Sequence, residues 1–340
     1  MNPKLSTLQD PKPLRSINII HLPFFQQIFY NFDFNKQSPL YMSRRKLLTL
    51  LLILPITLTL QAQGSFDLIT LDTKKGLGKF QIIPGSARNI TNTPGYDNQP
   101  NFINNDQLVF SSQADQGGNE IIMYNYETGN FTNMTRTPDK SEFSPSLTDC
   151  GQYVSAVTVE EDSSQRLWLY PVNMGEPELL YDDIMPVGYY AWHDNIAAMY
   201  ILGNPNQLIY PYSKEEKVTL SENIGRSINK RPKSNEVTFL NAGSNVVVDG
   251  QKAMEILSYD LKKRSTQNLG LSLGGSEDFI WLDKNTLLMA RGKDLYVRNV
   301  KKSISWEQIA SVSLPGYNGI SRLAISPKKD KLVLVMERQN

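Results

Sequence analysis

The side chains that carry most protein chemistry are scarce here, with two histidines and one cysteine in 340 residues. His21 lies far ahead of the first patterned stretch, which leaves His193. One histidine excludes a two-histidine metal site and the zinc-hydrolase motif built on it. His193 stands beside Asp194, half of a proton relay by composition, but neighbours on a strand point to opposite faces and a structural or turn role is the simpler reading. Cys150, flanked by Asp149 and Gly151, needs a base within reach to act as a nucleophile, and its flanks read as a degenerate turn. A lone cysteine also excludes an intrachain disulfide and a multi-cysteine metal site. Gly274-Gly275-Ser276 and Gly85-Ser86 lack the strand-and-helix setting of a nucleophile elbow, and no glycine-rich phosphate loop precedes a helix. Neither a cofactor nor a resident metal is expected.

Carboxylates and tyrosines offer more. Asp97 and Glu142 occupy equivalent places ahead of successive strand-like runs, and Glu277 falls close to that place in a later one. Loops at one level around a common opening bring such side chains together from distant parts of a chain. Converging carboxylates hold a cation, a cationic peptide group or a sugar, or exchange protons as general acid and base. The simpler reading is a repeated backbone need, in which each accepts hydrogen bonds from loop N–H groups and fixes a turn. Tyr96, Tyr189, Tyr190 and Tyr317 lie in similar loops with glycine nearby, an aromatic rim suited to protein or carbohydrate contact. The candidate binding rim is therefore Tyr96, Asp97, Glu142, Tyr189, Tyr190, Glu277 and Tyr317. Other tyrosines, among them Tyr124, Tyr126, Tyr170, Tyr210, Tyr212, Tyr259 and Tyr296, recur in the third run of each unit and read as core.

What would bring the rim together is a repeat. Asn89-Ile-Thr-Asn-Thr-Pro94, Asp97, Pro100, Leu108-Val-Phe-Ser-Ser112 and Ile121-Ile-Met-Tyr-Asn-Tyr126 return after 44 to 45 residues as Asn133-Met-Thr-Arg-Thr-Pro138, Glu142, Pro145, Tyr153-Val-Ser-Ala156 and Leu167-Trp-Leu-Tyr170. Each unit holds short apolar-polar strands separated by turn residues, the composition of a four-stranded antiparallel sheet. Such a sheet cannot bury both faces alone and must stack on copies of itself. A third unit begins near Trp192, a fourth is blurred around Val237 and Met254, and a fifth runs from Phe279 to about Ala310. The sixth, Tyr317 to Met336, has only two strands. Phe66-Asp-Leu-Ile-Thr-Leu71 and Ala87-Arg-Asn-Ile-Thr-Asn92 have the form of the two that are missing. Joining the two ends in one sheet closes the ring and removes an exposed edge. The expected fold is all-β: a six-bladed propeller of four-stranded antiparallel blades, its last blade shared by N- and C-terminal strands.

These residues resemble the blade repeat of TolB-like β-propellers, most closely over 89–129 and the second unit with Thr135-Arg-Thr-Pro138, Ser144-Pro145 and Tyr170. The resemblance covers about 66 to 336, is strongest over 88–170 and fades in the fourth blade. The family's Ser-Pro-Asp-Gly turn survives as fragments: Asn104-Asn105-Asp106, Asp149-Cys150-Gly151 and Ser326-Pro327-Lys328-Lys329. It implies a six-bladed ring and no particular reaction. TolB itself resembles a small α/β domain followed by a propeller, working in the cell-envelope Tol system beside an outer-membrane lipoprotein. Only about 25 residues separate a cleavage site near Ala62 from the first clear blade motif at Asn89, and the closure strand uses part of them, which puts the Tol-system role in question and leaves the fold intact.

The N-terminal part carries a targeting pattern. Arg44-Arg45-Lys46 precedes an apolar run from Leu47 to Leu60, and Ala62 offers a small residue for cleavage. The run suits a secretory signal and is short for a spanning helix. Residues 42–62 are expected to be a signal peptide, residues 63–340 the propeller, and residues 1–41 an upstream extension with Met42 as the true initiator or, alternatively, a cytoplasmic tail. Without residues 1–62, which hold seven Lys or Arg and two Asp, 28 basic and 32 acidic groups remain, a net charge of minus four. That charge does not suit a nucleic-acid surface. The expectation is a monomeric, exported binding scaffold, periplasmic or extracellular, whose partner is an envelope protein or peptide or a glycan. The alternative is a polysaccharide lyase or hydrolase using carboxylates at the channel mouth.

Overall fold

In a computed structural model of the chain, residues 64–76, 79–83, 85–114 and 117–339 are described. The expected signal peptide, residues 42–62, and the expected upstream extension, residues 1–41, lie outside them. Among the described residues no helix is long and apolar enough to cross a membrane.

Six small antiparallel sheets form six blades. Their inner strands are Asp97–Phe102, Ser141–Leu147, Val187–His193, Ile224–Lys230, Phe279–Trp281 and Tyr317–Ile325. The third inner strand starts ahead of Trp192 and the fourth ahead of Arg231, earlier than the sequence pattern suggested. The fourth blade is blurred for a visible reason. Strands Glu236–Val248 and Gln251–Asp260 run past the blade as a long hairpin, with a register shift between Asn241 and Val246. Asp249 and Gly250 at its tip have φ of 52° and 74°, the left-handed pair that a tight hairpin turn needs.

The two ends meet as expected. Phe66–Gly76 pairs with Lys331–Arg338 from Phe66 opposite Glu337 to Asp72 opposite Lys331. Arg88–Asn89 pairs with Thr70 and Ile69 to complete the blade. Lys79–Ile82 adds a short fifth strand along Thr73–Gly76, a hairpin the repeat did not foretell.

The blades are held by faces, and the buried apolar residues fall into six clusters, one at each blade-to-blade junction. At the closing junction Leu68, Val333 and Val335 of the sixth blade pack on Leu108 and Phe110 of the first. Leu68 and Val333 have no exposed surface, and full burial of such a side chain contributes about 1.5–3 kcal/mol. The third-run tyrosines are core, with Tyr170 and Tyr210 buried and the Tyr124–Tyr126 and Tyr210–Tyr212 rings edge-on at 4.9 and 4.8 Å.

Candidate functional site

The inner strands surround a cavity of about 330 Å³ to which all six blades contribute. Five of these strands break register with their neighbour: around Asn98–Asn101, Phe143–Ser146, Val187–Tyr189, Ile224–Ile228 and Ile320–Arg322. A β-bulge re-aims a side chain that simple alternation would send elsewhere. Gln99, Ser144, Tyr189, Arg226 and Arg322 sit in or beside those breaks and line the cavity. Gln99 and Ser144 have φ of 57° and 54°, a left-handed conformation that costs a non-glycine residue and persists only where its surroundings enforce it. They also touch, the Ser144 N–H donating to Gln99 Oε1 at 2.8 Å. Ahead of Arg226, a Cβ on Gly225 would stand 3.0 Å from Leu240 Cβ, so glycine permits the close approach.

The ionic groups of the cavity form two sets. Asp278 Oδ1 lies 3.5 Å from Arg226 Nε and 3.8 Å from Arg322 Nη1, and Glu277 Oε2 lies 3.8 Å from Arg226 Nη1. Arg322 Nη2 donates to the Tyr189 hydroxyl at 3.3 Å, and its guanidinium lies 5.4 Å from the centre of that ring. Burial works against the Arg322 charge, and Asp278, Tyr189 and Tyr96 more than restore it. The second set is Lys230, whose ammonium donates to Asp149 Oδ1 at 2.9 Å. The Asn195 N–H reaches the other Asp149 oxygen at 3.3 Å.

The seven rim candidates divide. Tyr189 lines the cavity and Glu277 reaches Arg226. Burial raises the Tyr96 phenol and the charges of Arg322 and Arg226 pull it back, which puts it within their field. The other four are built into the blades, and of these Tyr190 also lines the cavity. Asp97 is buried, accepting from Ser112 Oγ at 2.6 Å and Thr93 Oγ1 at 2.8 Å, and burial raises its pKa. Glu142 is fully buried, accepting from Thr137 Oγ1 at 2.8 Å and the Tyr170 hydroxyl at 3.2 Å. Burial pushes its pKa up to about 7, Thr137 opposes this, and the nearby Glu120 adds to it. The Tyr190 hydroxyl lies between the Ser144 and Ser155 carbonyls at 2.8 and 2.7 Å. The Tyr317 hydroxyl donates to Asp67 and accepts from Asn89 Nδ2 at 2.8 Å. These bonds join strands and blades, and the donors to Asp97 and Glu142 are side-chain hydroxyls where loop N–H groups were expected.

His193 is buried in a structural position, Nε2 3.2 Å from the Ser234 carbonyl and Nδ1 3.6 Å from Asp194 Oδ2. Asp194 belongs to a turn with φ of 50°. Cys150 is exposed, its Sγ 3.2 Å from Thr148 Oγ1. Among the described residues no group of three or more His, Cys, Asp or Glu is placed to hold a metal. Sequence reasoning missed Arg226, Asp278 and Arg322. Glycine before Tyr189 and before Arg226, inside inner-strand runs, is the signal that could have marked two of the bulges.

No protein-family model and no curated protein matches the chain. Solved structures do. A TolB-type structure from Agrobacterium tumefaciens superposes with a TM-score of 0.58 at 12% identity, over 82% of this chain and 100% of that one. TolB from Acinetobacter baumannii gives 0.49 at 9% identity, over 82% of this chain and 65% of that one. Oligogalacturonate lyase from Vibrio parahaemolyticus gives 0.46 at 13% identity, over 82% and 98%. The likeness to the first establishes a shared six-bladed propeller fold and nothing about activity.

Proposed function

We propose that this chain is an exported, non-enzymatic propeller that binds a protein partner at the mouth of its central cavity, in the cell envelope. The observation that carries the reading is the bulged inner strands, which deliver a glutamine, a serine, a tyrosine and two arginines from five blades to one concavity on a closed scaffold. A rigid frame with variable inward positions suits recognition, because little has to be ordered on binding. Tyr189 and the exposed Glu277 give the mouth aromatic area and a charged rim. The repeated carboxylates that a polysaccharide-cleaving enzyme would need are engaged within the blades by hydroxyl donors. Export is supported by Arg44-Arg45-Lys46 ahead of the apolar run to Leu60.

Two measurements test this. Protein isolated from its native host should begin near Gln63 by mass spectrometry, and a retained N-terminus in the cytoplasm overturns the export half. Immobilised protein should retain a partner from native envelope extract, and Tyr189→Ala should release it while the circular-dichroism spectrum stays unchanged. Undiminished retention by that folded variant overturns the site.

A further inference from the structure

The two arginines of the cavity hold more donors than the protein uses. A guanidinium carries five N–H groups in a fixed fork. Hydrogen bonds of Arg226 and Arg322 among the described residues are few: Arg226 Nη2 to the Ser321 carbonyl at 3.2 Å and Arg322 Nη2 to the Tyr189 hydroxyl at 3.3 Å. Arg226 Nε is buried and hydrogen-bonds to nothing. The ionic contacts to Asp278 and Glu277, at 3.5–3.8 Å, are longer than the roughly 2.7–2.9 Å of a charge-assisted hydrogen bond. Asp278 Oδ1 therefore stands between two guanidinium groups and closes on neither.

Charge points the same way. Two cations face one largely buried carboxylate, and the second carboxylate, Glu277, is 59% exposed and screened by solvent. By count the cavity's charges balance, Arg226, Arg322 and Lys230 against Asp149, Asp278 and Glu277, so what is left positive is the buried end of the arginine set, where Asp278 alone faces two cations. The cavity, at about 330 Å³, has room for one or two side chains and not for a folded surface.

We propose that Arg226 and Arg322 bind a carboxylate presented by the partner polypeptide, with Tyr189 packed against its stem. A carboxylate matches the arginine fork with two parallel hydrogen bonds, which a lysine or a neutral amide cannot reproduce. Asp278 then acts as the internal competitor, an anion set between the two cations with which an incoming carboxylate must share them. The inference rests on the scaffold reading only for the source of the carboxylate, which is either an acidic side chain or a chain terminus.

Calorimetric titration of the purified protein with three peptides separates those sources. Acetyl-tetraglutamate amide carries side-chain carboxylates only, acetyl-tetraalanine with a free C-terminus carries a terminal one only, and acetyl-tetraglutamine amide carries none. At least one of the first two should bind and the third should not. Arg322→Gln and Arg226→Gln should each weaken binding by about tenfold or more, and Arg322→Lys should fall between, because it keeps charge and loses the fork. Asp278→Asn should tighten binding by about threefold or more, since it removes the competing anion. A pair of arginines that merely brace the blades would lose thermal stability in Asp278→Asn and gain no affinity. Absence of peptide binding in both the unmodified protein and Asp278→Asn overturns the proposal, as does unchanged affinity in folded Arg322→Gln. Asp278→Asn keeps the test open should the arginine variants not fold. Partner capture that survives Arg322→Gln while peptide binding is lost counts against this site and leaves the scaffold reading standing. Peptide binding without any partner in envelope extract has the opposite meaning.

Discussion

The junction between the sixth and first blades and the junction between the first and second come from the same repeat and treat their buried acids differently. At the first, Thr91 Oγ1 donates to Asp67 at 3.2 Å and Thr93 Oγ1 to Asp97 at 2.8 Å. At the second, Thr135 donates to Glu120, and Thr137 Oγ1 donates to Glu142 at 2.8 Å. The closing junction adds a cation from the far end of the chain, because the Arg338 guanidinium spans both Asp67 oxygens and the Tyr317 hydroxyl joins it. Burial would raise the Asp67 pKa, and these two partners outweigh it and hold the carboxyl below its usual range. Among the described residues no guanidinium or ammonium bonds Glu120 or Glu142, and the nearby Lys140 lies instead over the Trp168 ring at 4.6 Å. A local motif therefore sets where an acid goes, and for Asp67 a residue remote in sequence keeps it charged. Asp97 at the same junction, the counterpart of Glu142, has no such hydrogen bond among the described residues and is raised by burial as Glu142 is.

The largest test breaks the ring at the closing junction. Deleting residues 66–72 removes a seven-pair strand ladder and the burial of Leu68, Ile69 and Leu71, and no soluble monomer should be recovered by size exclusion. Arg338→Ala leaves Asp67 buried and short of its main partner, so burial should move its carboxyl back up. It should cost about 3 kcal/mol in urea unfolding, the low end for breaking a buried pair, because Arg338 is partly exposed. Glu142→Gln probes the other junction through pH. A carboxyl raised in the folded state from 4.5 to about 7 stabilises most below pH 4.5, and that contribution is lost as pH rises through about 7. The unmodified protein should thus lose on the order of 3 kcal/mol between pH 5 and 8 from this group, and the glutamine variant should show a flatter profile. Tyr190→Phe, at the next junction, where the hydroxyl lies between two carbonyls, should cost about 1 kcal/mol and show no such pH dependence.

The two junctions also mark what the sequence made legible. The 44-to-45-residue spacing of Thr93-Pro94 and Thr137-Pro138, with the strand-like 66–71 left over at one end, was enough for six blades and their closure. The repeated acids were visible as well, together with the possibility that they serve the backbone. Their charge states were not, because Arg338 lies 271 residues from Asp67. The cavity residues escaped for another reason. A search for a repeat finds what recurs in successive units, and Gln99, Ser144, Tyr189 and Arg226 differ from blade to blade, arginine returning only in the sixth as Arg322. They also sit at bulges, where the two-residue alternation that tells inward from outward fails. Glu277 was found and its neighbour Asp278 was not, although both face Arg226.

The most direct measurement is carbon-13 NMR of side-chain carboxyls, with labelled Asp and Glu, across pH 3 to 9. The Glu142 resonance is expected to titrate near 7, while Asp67 stays ionised to a pH below its ordinary 3.8. Titration of both groups together, at the values of exposed carboxylates, would contradict the assignment of these acids to the blade junctions and of their charge to the presence or absence of Arg338.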